Sequence, residues 1–185
     1  MRKVIFFMLI SLDGYFEGAK HAIDWHNVDE EFNQYSLAQL DSAGMLLFGR
    51  LTYELMADYW PSPAAARDDP VIAGYMNRLP KIVFSRTLSD VTWQNTRLVK
   101  GNMVEEVSKL KREPGKDLFI FGSSDLSVTL LQHALIDEIR VIVNPVILGE
   151  GKALFKGLQE RLHLRLLKTQ TFRNGNVLLC YQPDL

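Results

Sequence analysis

Asp117-Leu118-Phe119-Ile120-Phe121-Gly122-Ser123-Ser124-Asp125-Leu126 passes from an apolar run through a glycine into a serine-headed segment. Leu118 to Phe121 are apolar on successive residues, as expected of a strand covered on both faces. Gly122 breaks the run, and Ser123 or Ser124 can cap a helix through Leu126, Leu130 and Ala134. The same alternation continues outward. Lys3–Ile10, Met45–Phe48, Lys81–Phe84 and Glu138–Val143 are further strand candidates, each too short to make a convincing helix. Between them, Asp29 to about Leu40 carries Phe32, Tyr35 and Ala38 on one helical face. Asp69-Pro70 offers a cap acceptor and a first-turn proline, and Asn102 with Glu105 has capping-box spacing. Strand alternating with helix predicts a largely parallel sheet with helices on both sides. The C-terminus departs from this pattern. Leu162–Thr171 and Val177–Gln182 are consecutive strands joined through Arg173-Asn174-Gly175-Asn176, where Asn-Gly favours a type I′ hairpin turn. The expected architecture is α/β, a mostly parallel twisted sheet flanked by helices with a C-terminal antiparallel hairpin. Pro61-Ser62-Pro63-Ala64-Ala65-Ala66 reads as a loop.

The chain has 185 residues, 47% of them hydrophobic, which suits one domain with a sizeable core. Its 21 basic and 22 acidic residues give a net charge of −1, so no global field draws nucleic acid or an anionic membrane. The densest basic cluster, Lys109-Lys111-Arg112, reads as a solvated helix face. Cys180 is the single cysteine, which excludes an internal disulfide, and its apolar neighbours suggest an inert core thiol. The apolar run Val4 to Ile10 ends at Ser11-Leu12-Asp13-Gly14 without a small-residue cleavage site, so it reads as a strand and not a signal peptide. No stretch approaches the roughly 20 apolar residues of a membrane span, and a cytoplasmic protein is expected.

No Rossmann Gly-x-Gly-x-x-Gly follows the first strand, and neither a phosphate loop nor a nucleophile elbow is present. His21, His26, His133 and His163 show no zinc-type pairing, and no metal site is expected. What remains is glycine at strand ends: Asp13-Gly14, Gly49-Arg50-Leu51-Thr52 and Gly122-Ser123-Ser124. In an open α/β sheet, ligands bind beyond the carboxyl ends of the strands, where helix N-termini present N–H groups and partial positive charge. Each junction has two readings. Gly49 admits a close ligand, Arg50 forks onto phosphate and Thr52 hydrogen-bonds it, or Arg50 simply pairs with Glu54. Asp13 lines the pocket mouth as a proton shuttle, or closes an ordinary Asp-Gly turn. Ser123 and Ser124 help hold a pyrophosphate, or cap their helix. Ser85 and Arg86 bind a ribose phosphate, favouring NADP over NAD, or end a strand in solvent. Trp25 and Trp60 could each stack on a ring, although packing is the commoner fate of such aromatics.

The ordered series resembles the dihydrofolate-reductase-like family that includes the reductase half of the riboflavin-biosynthesis deaminase/reductase. It runs from Ser11-Leu12-Asp13-Gly14 through Leu47-Phe48-Gly49-Arg50-x-Thr52-Tyr53-Glu54, Phe84-Ser85-Arg86 and Phe121 to Leu126. It continues in Leu135-Ile136-Asp137-Glu138-Ile139-Arg140 and Asn144-Pro145-Val146-Ile147-Leu148-Gly149-Glu150-Gly151. The resemblance implies hydride transfer from NADPH to a small pterin-like or pyrimidine-like substrate. It implies that Gly49, Arg50 and Thr52 hold phosphates, and that Ser85 and Arg86 hold the adenosine ribose phosphate. Gly122, Ser123, Ser124, Asp125 and Leu126 would hold the pyrophosphate, with Leu12 and Asp13 near the nicotinamide. It further implies a homodimer, for which the C-terminal hairpin offers an apolar edge.

Two features depart from the family pattern. Members that bind NADPH well carry Gly-Gly where this chain has Gly122-Ser123. Dihydrofolate reductases hold the pterin with an acid on the first helix; here Asp29, Glu30 and Glu31 begin that helix, and no motif says which faces the pocket. The deaminase half of the bifunctional enzyme has no counterpart in this sequence. Two hypotheses follow: an NADPH-dependent reductase, or a non-catalytic dimeric binding or scaffold domain that keeps the fold.

Overall fold

A computed structural model describes residues 1–184. The chain opens with β1 (Val4–Ser11) and β2 (Tyr15–Glu17), then α1 (Glu30–Ser42). β3 (Ala43–Gly49) runs straight into α2 (Arg50–Tyr59), followed by α3 (Pro63–Asp68) and α4 (Pro70–Arg78). β4 (Lys81–Phe84), β5 (Thr96–Val99), α5 (Met103–Arg112), β6 (Asp117–Phe121), α6 (Ser124–Gln132) and β7 (Glu138–Asn144) complete the alternating part. β8 (Lys152–Ala153), β9 (Leu164–Thr171) and β10 (Val177–Pro183) end it.

Eight strands form one sheet in the order β5-β4-β3-β6-β1-β7-β10-β9, and β2 pairs with β8 apart from it. From β5 to β7 every pairing is parallel, whereas β10 runs antiparallel to both β7 and β9. This is the expected parallel sheet with its antiparallel hairpin. Side chains alternate across the pleat. Val4, Phe6 and Met8 of β1 join Val107 and Leu110 of α5 and Leu126 and Leu130 of α6. Ile5 points the other way, into a cluster with Leu40 of α1 and Ile72 and Met76 of α4. Leu118, Phe119 and Ile120 are fully buried, as a doubly covered strand requires. Because β1, β3, β4, β5, β6 and β7 run the same way, their carboxyl ends meet along one edge of the sheet, where the glycine junctions stand.

Several details differ from expectation. Pro61–Ala66 is not all loop: Ser62 accepts from the Ala65 N–H and Pro63 opens α3, a serine cap followed by a first-turn proline. β5 was missed because it is only four residues long. The hairpin turn is not type I′. Gly175 has φ +91° but Asn174 is not in the positive region, and Asn174 Oδ1 instead accepts from the Asn176 N–H. Lys111 is buried and not solvated, donating to Asp137 Oδ2 at 2.6 Å and to the Leu135 carbonyl at 3.0 Å. Asp69 makes no side-chain cap. Cys180 is buried, and burial pushes its thiol pKa up, as suits an inert core thiol. No helix among the described residues is long and apolar enough to cross a membrane.

Candidate functional site

The ends of β3 and β6, neighbours in the sheet, carry the two central junctions. Each opens a helix with no side-chain cap: Gly49 precedes α2 and Ser123 precedes α6. By contrast, α1 is capped by Asp29, and α5 by Asn102, whose Oδ1 accepts from the Val104 and Glu105 N–H groups. First-turn N–H groups without a cap are the donors that an anion takes up. Ser123 and Ser124 were expected to cap α6, and neither does. Ser123 sits in the left-handed region (φ 63°, ψ 63°), outside the extended geometry of a cap, and its Oγ accepts from the Gly49 N–H at 2.8 Å. Ser124 is buried and donates to the Leu154 carbonyl at 2.7 Å.

Gly122 has φ +77°, and a β-carbon there would stand 3.3 Å from the Thr52 methyl. Thr52 therefore lies directly against the β6 junction. Arg50 forms the ordinary contact weighed in the sequence, an exposed pair with Glu54 at 3.0 Å. Such a pair is worth only a few tenths of a kcal/mol, about 0.3–0.5, and yields readily to a better anion. Asp125 lies in the first turn of α6 with its carboxylate exposed, so only its N–H suits a phosphate. Leu126, by contrast, turns its side chain into the core.

At the end of β4, Ser85 Oγ accepts from the Thr87 and Leu88 N–H groups and so shapes a tight turn. Ser85 and Arg86 line a cavity of about 680 Å³ together with Lys100, Asn102, Met103 and Thr129. Arg86 and Lys100 are both exposed, and no acidic residue lines this cavity. Lys100 was missed in the sequence, because it follows an unrecognised strand and nothing local links it to Arg86.

Beyond β1, the carboxylate of Asp13 accepts from the Leu148 N–H at 3.1 Å and the Gly149 N–H at 2.8 Å. The neighbouring Ser11 hydroxyl, then the Gly149 and Leu148 N–H groups, hold its pKa below the usual carboxylate value. The turn reading of Asp13 is thus formed, and its carboxylate is an ionised acceptor that ties the first loop to the one after β7. The exposed Leu12 side chain stands beside it.

On the first helix, Asp29 is occupied as the cap, Glu31 accepts from the Arg173 N–H and Glu30 is exposed. Trp25 Nε1 donates to the Ala22 carbonyl and its ring stands edge-on to His26, while Trp60 Nε1 donates to Met56 Sδ. Both tryptophans are engaged in packing.

An open, mostly parallel sheet with a C-terminal antiparallel hairpin and glycine junctions at its strand ends defines the dihydrofolate-reductase-like class. The profile of the RibD C-terminal domain matches residues 2–178. The protein YyaP of Bacillus subtilis (strain 168) is 34% identical over 182 residues, covering 97% of this chain and 94% of its own. A putative riboflavin biosynthesis protein from Shewanella sp. PV-4 superposes with a TM-score of 0.76 at 24% identity, over 99% of both chains. Dihydrofolate reductase from Enterococcus faecalis, solved with NADP(H) and RAB-propyl, superposes with a TM-score of 0.67 at 15% identity, over 99% of this chain and 97% of that one. The chain belongs to the RibD C-terminal domain family and has the fold of riboflavin-pathway-type reductases.

Proposed function

We propose that this protein is an NADPH-dependent reductase acting on a small pterin-like or pyrimidine-like heterocycle. The observation that carries the reading is the pairing of two uncapped helix N-termini with a cavity holding Arg86 and Lys100 and no acid, all on one sheet edge. The fit to the cofactor follows from charge. The α2 and α6 N-termini supply N–H donors for the pyrophosphate, and Arg86 and Lys100 supply two cations for the phosphate on the adenosine ribose. Thr52 and Arg50 border the pyrophosphate, and Ser85 fixes the turn that presents Arg86. A dinucleotide held there by the α2 and α6 N-termini, Arg86 and Lys100 would supply hydride-transfer chemistry. Asp13 acts as a positioning residue, holding the loop that carries Leu12 beside the ring. Of the acids that begin the first helix, Asp29 and Glu31 are engaged in the fold and Glu30 is exposed.

The test is equilibrium titration with NADPH and NADH, followed by nucleotide fluorescence. Arg86→Gln/Lys100→Gln should weaken NADPH binding roughly 100-fold, as expected for losing two charge-assisted contacts. NADH, which lacks the ribose phosphate, should change less than about threefold. No NADPH binding at millimolar concentration would leave the non-catalytic scaffold reading in its place, and equal losses for both nucleotides would take the ribose-phosphate role from Arg86 and Lys100.

We further propose a homodimer formed through a sheet face. Leu164 and Leu166 of β9 share a face with Leu179 and Tyr181 of β10 and with Val141 of β7. Leu166 is 52% exposed, and an apolar cavity of about 540 Å³ opens on this face. The free edge of β9 carries Arg165 and Lys168, which oppose edge-to-edge pairing. Leu166→Lys should convert a dimer to a monomer in sedimentation equilibrium; a wild-type monomer at about 100 μM would refute the proposal.

A further inference from the structure

We infer that the Ser123 hydroxyl is an internal occupant of the pyrophosphate cradle: in the free protein it takes the Gly49 N–H, and it has to release that group when the dinucleotide binds. The inference rests on the function proposed above and concerns a side chain that a glycine here would not supply.

The geometry is specific. Gly49 is the last residue of β3 and the residue before α2, so its N–H belongs to the junction where the cradle begins. That N–H donates to Ser123 Oγ at 2.8 Å, across 74 residues of sequence. A β-carbon built on Gly49 would stand 3.4 Å from the same Oγ, so no phosphate oxygen fits between the two groups. A hydroxyl oxygen accepts an N–H as a phosphate oxygen does, and the serine therefore occupies the place the anion would take.

The backbone supports the same assignment. A serine preceding a helix ordinarily has extended geometry and accepts from its own first turn. Ser123 instead has φ 63°, ψ 63°, a region that costs any residue bearing a β-carbon, and it makes no cap. The strained conformation carries the hydroxyl away from α6 and across to the β3 junction. It leaves the α6 first turn without a side-chain cap while closing one donor of the α2 junction. Thr52 also packs close against Gly122, so the two junctions are neighbours apart from the serine contact. The arrangement is a self-made competitor: affinity for the dinucleotide is lowered by whatever the free protein gains from this hydrogen bond.

The experiment compares wild type, Ser123→Ala and Ser123→Gly. It uses NADPH affinity, thermal midpoint without ligand, and hydrogen exchange at the Gly49 amide. Ser123→Ala should lower the free protein's midpoint and expose the Gly49 amide to exchange, yet bind NADPH about five- to tenfold more tightly. Ser123→Gly should bind at least as tightly as Ser123→Ala, and because glycine tolerates the left-handed region it keeps the test sound if the alanine variant folds poorly. If wild type binds NADPH and both variants bind it equally or more weakly, the hydroxyl serves the cofactor and the inference is overturned while the proposed function stands. If none of the three binds NADPH, both fall together.

Discussion

Replacing Lys81 with Met should cost about 3 kcal/mol of folding stability in urea unfolding at pH 7, although the change removes a charge from the core. Lys81 opens β4 and is 1% exposed. Its Nζ donates to the carbonyls of Met76 at 2.8 Å, Asn77 at 3.3 Å and Leu79 at 2.7 Å, and lies 4.4 Å from the centre of the Trp93 ring. Those carbonyls belong to the last turn of α4 and the residue after it, where a helix has no internal partners and presents partial negative charge. Burial pushes the lysine pKa down to about 8, which still leaves it charged at pH 7, with three protons for three acceptors. Methionine fills the space but takes the donor from the Met76 and Leu79 carbonyls, each worth about 1–3 kcal/mol with some recovery by relaxation, while the Asn77 carbonyl still accepts from Asn95 Nδ2 at 3.0 Å. A loss below about 1 kcal/mol would show that water reaches the helix end and that the lysine is dispensable.

The second large effect is acid sensitivity at His26. Burial holds its imidazole at about 4, and its Nε2 is enclosed without a partner. The unfolded chain titrates near 6.5, so between those values the unfolded state binds the extra proton. The folded pKa is the lower one, and stability is therefore fully present above about 6.5, falls as pH drops through this window, and levels off below about 4. The full span is worth about 3 kcal/mol. His26→Phe keeps a ring against Trp25 and removes the titrating group. Between pH 7.5 and 4.5 the wild type should lose about 2–3 kcal/mol more than the variant in denaturant unfolding. Parallel losses would place the acid sensitivity in carboxylates instead.

Much of the architecture was legible because it rests on local chemistry. Apolar runs of four to eight residues became β1, β3, β4, β6 and β7, and Asp29 and Asn102 cap the helices they precede. Gly49, Arg50, Ser85 and Gly122 stand along one sheet edge because strand ends in a parallel sheet share that edge. What failed depended on distant partners. Ser123 looks like a cap within its own segment, and only the fold brings Gly49 to it. Lys111 looks solvated until Asp137 is seen beneath it. Lys100 joins Arg86 only because β5 lies beside β4, a pairing that no local motif announces.

A crystal structure of the protein grown with NADPH decides whether the strand-end edge grips the dinucleotide. The pyrophosphate should lie between the N-termini of α2 and α6, with the ribose phosphate within hydrogen-bonding distance of Arg86 or Lys100. Ser123 Oγ should then have turned away from the Gly49 N–H. NADPH bound elsewhere, or a clear map with the strand-end edge empty at saturating NADPH, would contradict that placement.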